Sequence, residues 1–375
     1  MHIVVIGGGV LGTAHALEAI RRGHSVTQLE REPESRGATV RNFGLVWVSG
    51  STGGELAPAL RSRQLWADLA KDVPGIGFRA AGSITLLRTE AELAVAREAA
   101  QRPDAAERGF TLVDPEQARA LNPALRGEFL GGLHCANDAA VESRIALPAI
   151  RKHLHASGRY TFLGGAEARA IHSHSGGVSI RDEHGGRHDG DLVIFCPGAA
   201  LGGLAREVAG DLPLRRVRLQ MMQTAPLGEQ LTTAIADGDS LRYYPGFAGP
   251  ALDELRAAQP QSPVAAEHKM QLLCVQRLHG GLTIGDTHEY DEPFNFDVDE
   301  APYQHLAGTM EELLGRVLPP ITRRWAGVYS QCLDPDELVH RSEVAPGVWV
   351  IAGPGGRGMT LGPVLGEQTA DLLGL

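Results

Sequence analysis

Gly7-Gly8-Gly9-Val10-Leu11-Gly12 has the spacing G-x-G-x-x-G, which does chemistry without a reactive side chain. Gly7 permits a tight turn. Gly9 lets backbone N–H groups approach a pyrophosphate, and Gly12 lets a helix pack closely on a strand. Val10 and Leu11, inside the turn, are counted with the cofactor contacts, and the N-terminal N–H groups and dipole of the helix that follows favour an anion. Glu30, eighteen residues after Gly12, is placed to accept from ribose hydroxyls. A strand before the glycines, a helix after them and the acid at the next strand end together make the pattern specific for a dinucleotide.

A second glycine loop, Gly353-Pro-Gly-Gly-Arg-Gly358-Met-Thr, stands directly before another helix near the C-terminus. Reduced flavin carries negative charge near N1 and the C2 oxygen, which a helix N-terminus stabilises. The two loops together favour FAD over a nicotinamide. An NAD(P)-dependent dehydrogenase is the weaker alternative, and a redox-inactive flavin-binding protein is a second one.

The elements that must hold these loops can be read from the same sequence. His2–Ile6 is a β-branched run that reads as a buried parallel strand, Thr13–Arg22 as a helix closed by Gly23, and Ser25–Leu29 as a second strand. Helices are expected over 55–71, 89–101, 114–121 and 144–157. Strands are expected over 82–87 and 191–196. Strand-like segments at 216–224, 270–277 and 281–285 surround a Pro- and Ala-rich stretch at 245–266, with a helix near 301–316. Strand 347–352, the second glycine loop and a terminal helix then return to the first pattern. The expected fold class is α/β, with a discontinuous Rossmann-type FAD-binding domain (1–80, 136–212 and 326–375). A second, α+β substrate domain (81–135 and 213–325) is built on an antiparallel sheet.

Composition narrows the partners. The 375 residues carry a formal net charge of −10 without a Lys/Arg-rich run, which argues against nucleic acid. No apolar run approaches the roughly 20 residues of a membrane-spanning helix, so no membrane role is expected. Cys135, Cys196, Cys274 and Cys332 lie far apart with no CxxC pair, the pattern of a reducing cytoplasm rather than of a disulfide scaffold. His153/His155 and His172/His174 lack a nearby Cys or carboxylate in ligand-like spacing, so no metal is expected.

Several blocks in order along the chain resemble the glycine oxidase, sarcosine oxidase and D-amino-acid oxidase family of FAD-dependent amine oxidoreductases. They are Gly7 to Gly12 with Glu30-Arg31, Thr39-x-Arg41-Asn42-x-Gly44, Val193 to Ala199, Gly281 to Asp286, and Ala352 to Thr360. The resemblance implies FAD contacts at Arg31, Arg41, Asn42, Gly44, Ala168, Pro197, Gly198, Gly355, Gly356, Gly358, Met359 and Thr360. It also implies hydride transfer from a C–H beside nitrogen to flavin N5, imine hydrolysis, and reoxidation by molecular oxygen or another acceptor. Hydride transfer from an aligned neutral amine needs no protein base, and none is named. His288 with Glu289 reads as a turn after a strand or as a proton relay.

Departures from the family refine the substrate. Tyr329 occupies the place where glycine and D-amino-acid oxidases carry the arginine of Gly-x-Arg, and Gly44 and Thr360 stand where sarcosine oxidases have basic residues. A bidentate guanidinium clamp on a carboxylate is therefore missing. The family's covalent flavin cysteine falls at Gly327, so the FAD should be non-covalent. Arg41 to Trp47, Gln276-Arg277 leading to Tyr290, Trp325 to Tyr329 and Gly358 to Leu361 resemble a branch associated with phosphonate breakdown. That resemblance implies a small aminophosphonate, hydroxylated or N-methylated; another secondary amine or an unusual amino acid is the alternative. Arg277, Arg357, Tyr329 and Trp47 are the candidate substrate contacts, although Arg277 could pair with a surface carboxylate, Trp47 could be packing, and Arg41 could serve the pyrophosphate. The oligomeric state is not legible.

Two outcomes follow. Purified protein is yellow, and heat denaturation releases all of its FAD into the supernatant. Glycine, sarcosine and D-alanine are turned over slowly; rapid turnover of any of them in a peroxide-coupled or dye-coupled assay would contradict the missing clamp.

Overall fold

The computed structural model describes residues 1–375. Two large sheets organise it. The first has six strands in the order His340–Ala345, Val348–Ala352, Leu192–Phe195, His2–Ile6, Ser25–Glu30 and Tyr160–Gly164. The last five run parallel, and only the His340–Ala345 edge is antiparallel. Burial on both faces explains the near-continuous apolar runs Ile3-Val-Val-Ile6 and Leu192-Val-Ile-Phe195. One face packs on helices Val10–Arg21, Gly53–Asp72, Ala146–His155 and Gly358–Leu373. The other packs on a three-stranded sheet, Ala168–His174, Gly177–Asp182 and Arg187–Gly190.

The second sheet has eight strands in the order Ile321–Cys332, Leu214–Pro226, Gly281–Gly285, Leu273–Gln276, Ala234–Ala236, Ser83–Leu87, Gly131–Cys135 and Phe110–Val113. Every neighbouring pair is antiparallel except Ala234–Ala236 with Ser83–Leu87. One of its faces packs on helix Glu300–Leu314. A smaller apolar cluster, including Phe43, Leu45, Trp47, Leu219, Met221 and Tyr329, lies between its opposite face and the first domain.

Expected and observed elements agree closely where periodicity or capping is strong. Asp114 caps helix Pro115–Leu121 by accepting from the Gln117 N–H. Differences arise where local pattern is weak. The Pro- and Ala-rich stretch contains helices Pro250–Ala258 and Pro263–Glu267, each opened by its proline. The expected domain boundary at 325/326 falls inside strand Ile321–Cys332, whose whole length pairs with Leu214–Thr224. Gly327 lets Arg41 approach this strand closely but does not interrupt its ladder.

The turn between strands Gly131–Cys135 and Ala139–Ala140 is held by the buried carboxylate of Asp138. It accepts from the Val48 and Ser49 N–H groups at 2.6 and 3.0 Å and from the Ser83 hydroxyl at 2.6 Å. Burial raises its pKa and these three donors counter that. Asp138→Ala strands all three donors, and each unmet buried donor costs roughly 1–3 kcal/mol. The variant should lose about 3 kcal/mol in urea unfolding; a loss below about 1 kcal/mol would show that the segment rearranges instead.

Candidate active site

The first glycine loop is built as its spacing requires. Gly7 has φ +110°, and its N–H donates to Leu29 O at 2.8 Å. A Cβ on Gly7 would overlap Cys196 O, and one on Gly12 would overlap Gly7 O. Neither position can therefore carry a side chain. Helix Val10–Arg21 has Gly9 at its N-cap and so no cap from its own N-cap side chain. Thr39 Oγ1 accepts from the Val10 N–H at 3.0 Å. Glu30 accepts from the Gly8 N–H at 2.7 Å and the Glu32 N–H at 3.1 Å, which fixes the carboxylate at the loop.

Above this loop lies a cavity of about 890 Å³. Of the sequence candidates, Gly7, Gly9, Val10, Leu11, Gly12, Glu30, Arg31, Arg41, Asn42, Ala168, Pro197, Gly198, Gly355, Gly356, Gly358 and Met359 line it. A second cavity of about 380 Å³ is lined by Trp47, Arg357 and Thr360 together with residues of the large sheet. Asn42, Tyr329, Gly356 and Met359 line both, so a group at their junction touches both chambers.

Three placements correct the sequence reading. Arg277 lines neither cavity. Its Nη2 donates to Asn42 O at 2.8 Å and its Nε to Thr283 Oγ1 at 2.9 Å, so it braces the wall from behind. Burial lowers its pKa to about 10. Gly44, at φ +72°, also lines neither cavity; a Cβ there would strike Val141 O. Thr360 lines the second cavity rather than the first, and its Oγ1 accepts from the Trp47 N–H at 2.9 Å.

Arg357 lines the second cavity as expected, but it is paired with Glu55. Its burial lowers the guanidinium pKa. Tyr329 is buried, with its phenol beside that of Tyr243. The expected turn at His288 is a buried wall instead. The His288 ring stacks on Tyr243 at 4.1 Å, and Glu289 pairs with Arg218 at 2.6 Å, so the two do not form a relay.

The sequence reading missed most of this wall: Tyr243, Tyr244, Gln271, Asp286 and Tyr290. Trp47 and Tyr244 rings lie 5.9 Å apart, and Tyr243 meets Tyr244 edge-on at 5.1 Å. The adjacent pair Tyr243-Tyr244 was the available signal, but no periodicity tied it to the sheet.

The model for the family described as FAD dependent oxidoreductase matches residues 2–372. The chain belongs to this family. It is 26% identical over 399 aligned positions to the glycine oxidase of Geobacillus kaustophilus, covering 99% of this chain and 92% of that protein. It is 28% identical over 278 residues to the D-amino-acid oxidase of Streptomyces coelicolor, covering 70% of this chain and 74% of that one. One of the opine oxidase subunits of Rhizobium meliloti is 23% identical, over 93% of this chain and 87% of its own length. The solved glycine oxidase structure from Geobacillus kaustophilus superposes with a TM-score of 0.78 at 21% identity, covering 99% and 94% of the two chains.

The protein is thus an FAD-dependent oxidoreductase. Bound FAD supplies the two-electron acceptor. The glycine loop, the helix start behind it and Glu30 at the edge of the first cavity would hold its pyrophosphate and ribose. The second glycine loop and Tyr329 flank the junction of the two cavities, where they would border the reactive end of such a cofactor.

Glu30→Ala removes an acceptor for ribose and frees the Gly8 N–H. A hydrogen bond to a charged group contributes roughly 1.5–3 kcal/mol. FAD affinity should fall about 10- to 100-fold in flavin-release titrations, with little change in the apoprotein's thermal stability.

Proposed function

We propose that the protein oxidises the C–N bond of a small aminophosphonate related to 2-aminoethylphosphonate, N-methylated or hydroxylated, releasing an aldehyde after imine hydrolysis. The observation that carries the reading is Arg357, the one Lys or Arg side chain lining the second cavity, held beside Gly356 and Met359 at the junction. A guanidinium can pair two N–H groups with the oxygens of a phosphonate as well as with those of a carboxylate, so Arg357 is the group an anionic substituent would meet there. Gly44, Tyr329 and Thr360 contribute no second cation, in keeping with the branch pattern from Arg41 to Trp47 and from Gly358 to Leu361.

A second reading, another secondary amine or unusual amino acid, is favoured by one specific observation. Arg357 is already neutralised by Glu55, and Asp286, Asp334 and Asp336 also line the chamber. An anionic substrate must therefore share the Arg357 guanidinium with Glu55.

Anaerobic mixing with a panel of amines separates the readings. Under the first, N-methyl-2-aminoethylphosphonate bleaches the flavin at least tenfold faster than sarcosine, and Arg357→Met raises its KM about 100-fold. Faster bleaching by sarcosine or a neutral amine, with no effect of Arg357→Met, would favour the second. Methionine keeps the apolar stem while removing the charge.

A further inference from the structure

Asp286 ends strand Gly281–Gly285 inside the second cavity, on a wall otherwise aromatic. Its main chain is fixed to residue 271: the Asp286 N–H donates to Gln271 O at 2.9 Å, and the Gln271 N–H donates back to Asp286 O at 3.3 Å. Its carboxylate is almost bare of donors. Oδ1 accepts one long hydrogen bond from Gln271 Nε2, at 3.4 Å. Oδ2 has only His288 Nε2 nearby, at 3.9 Å. That nitrogen cannot help. His288 Nδ1 contacts Lys269 O at 2.9 Å and must carry the ring proton to donate there, which leaves a lone pair on Nε2. Burial holds the ring neutral, with a pKa lowered to about 4.

The remaining neighbours supply no counter-cation. Tyr243 and Tyr244 close the chamber from one helix end, and Tyr290 and Tyr329 from two further segments. All four phenols are kept protonated by burial. Of the charged groups farther round the chamber, Glu55, Asp334 and Asp336 are acids, and Arg357 is paired with Glu55. Lys269 and Arg215 both place their cations against the Tyr290 ring, 4.7 and 4.4 Å from its centre, and neither lines the cavity. Gln271 Oε1, beside Asp286, is buried without a partner. An acceptor pair walled by electron-rich rings is a receptor for an ammonium group.

We infer that Asp286 receives the substrate's ammonium group and accepts its proton, so that the amine nitrogen is neutral before oxidation. This rests on the second cavity being the amine site. In the step, one N–H bond breaks and one O–H bond forms at a carboxylate oxygen. Ammonium and carboxylate become amine and carboxylic acid, with no change of oxidation state. The nitrogen lone pair so exposed is what expels hydride from the adjacent carbon. Desolvation supports the exchange, since it raises the Asp286 pKa to about 8, near that of an alkylammonium at about 10. In water the same proton would stay on nitrogen.

The sign of the pH dependence follows. Asp286 is neutral below about pH 8, so the empty chamber gains affinity for a fixed cation as pH rises through that value. Tetramethylammonium, which has no N–H proton to lose, is titrated into the FAD-loaded protein and followed by flavin absorbance. In wild type its affinity should rise about tenfold per pH unit between about pH 6 and 8, then level off. Asp286→Asn should bind it weakly and independently of pH. Equal binding by both proteins at every pH overturns the proposal.

A second arm measures anaerobic flavin reduction by N-methyl-2-aminoethylphosphonate. Asp286→Asn should be at least about 100-fold slower at pH 7. It should recover to within a few fold near pH 10, where the amine arrives neutral. A deficit that is the same at pH 7 and pH 10 indicates a packing role and overturns the proposal. If wild type is not reduced by this compound while tetramethylammonium binds as described, the phosphonate reading fails and the role of Asp286 in receiving an ammonium stands.

Discussion

The arrangement depends on satisfying the buried backbone of one nearly structureless segment, Arg41–Ser49. It contains only the two-residue strand Leu45–Val46, yet it forms the seam between the cofactor and substrate chambers. Its polar groups cannot be left bare away from water. Side chains from distant parts of the chain meet that requirement: Arg277 at Asn42 O, Thr360 at the Trp47 N–H, and Asp138 at the Val48 and Ser49 N–H groups. Each of these comes from a different stretch of the chain, so the segment ties the two large sheets together.

This constraint explains why Arg277, expected at the substrate, and Gly44, expected at the cofactor, line neither cavity. Arg277 was conspicuous as a cation on a strand of the substrate domain, but a guanidinium with several donors is also a good brace for a carbonyl wall. Gly44 stands where the family places a basic side chain. Its backbone instead presses against Val141 at a positive φ, which excludes any side chain. The chamber is left with one paired guanidinium, four carboxylates and a ring of aromatic residues. Its charge is therefore predominantly acidic.

The two chambers also use opposite strategies. The cofactor chamber works through backbone, with glycines admitting a pyrophosphate to a helix start that carries partial positive charge. The substrate chamber works through desolvated side chains. Burial keeps the phenols and His288 neutral and raises the pKa of the Asp286 carboxyl. A site of that kind can discriminate protonation states, which a solvated site cannot.

The sequence by itself determined the cofactor half. Gly7, Gly9, Gly12 and Glu30 act through local geometry, a turn and a helix start within one strand–helix–strand unit, so their spacing carries their role. The terminal loop at Gly355 to Met359 was legible for the same reason. Only the tertiary structure decided the substrate half. Trp47, Tyr243, Gln271, Asp286 and Tyr329 come from five separate stretches: Tyr329 is placed by antiparallel register, Gln271 and Asp286 by their paired backbones, and Trp47 and Tyr243 by packing from outside the sheet. No short-range pattern records which face of a strand meets a cavity that another domain completes. Nor could residue type alone distinguish Arg277 as a brace from Arg357 as a chamber wall, because that difference is one of burial and partners.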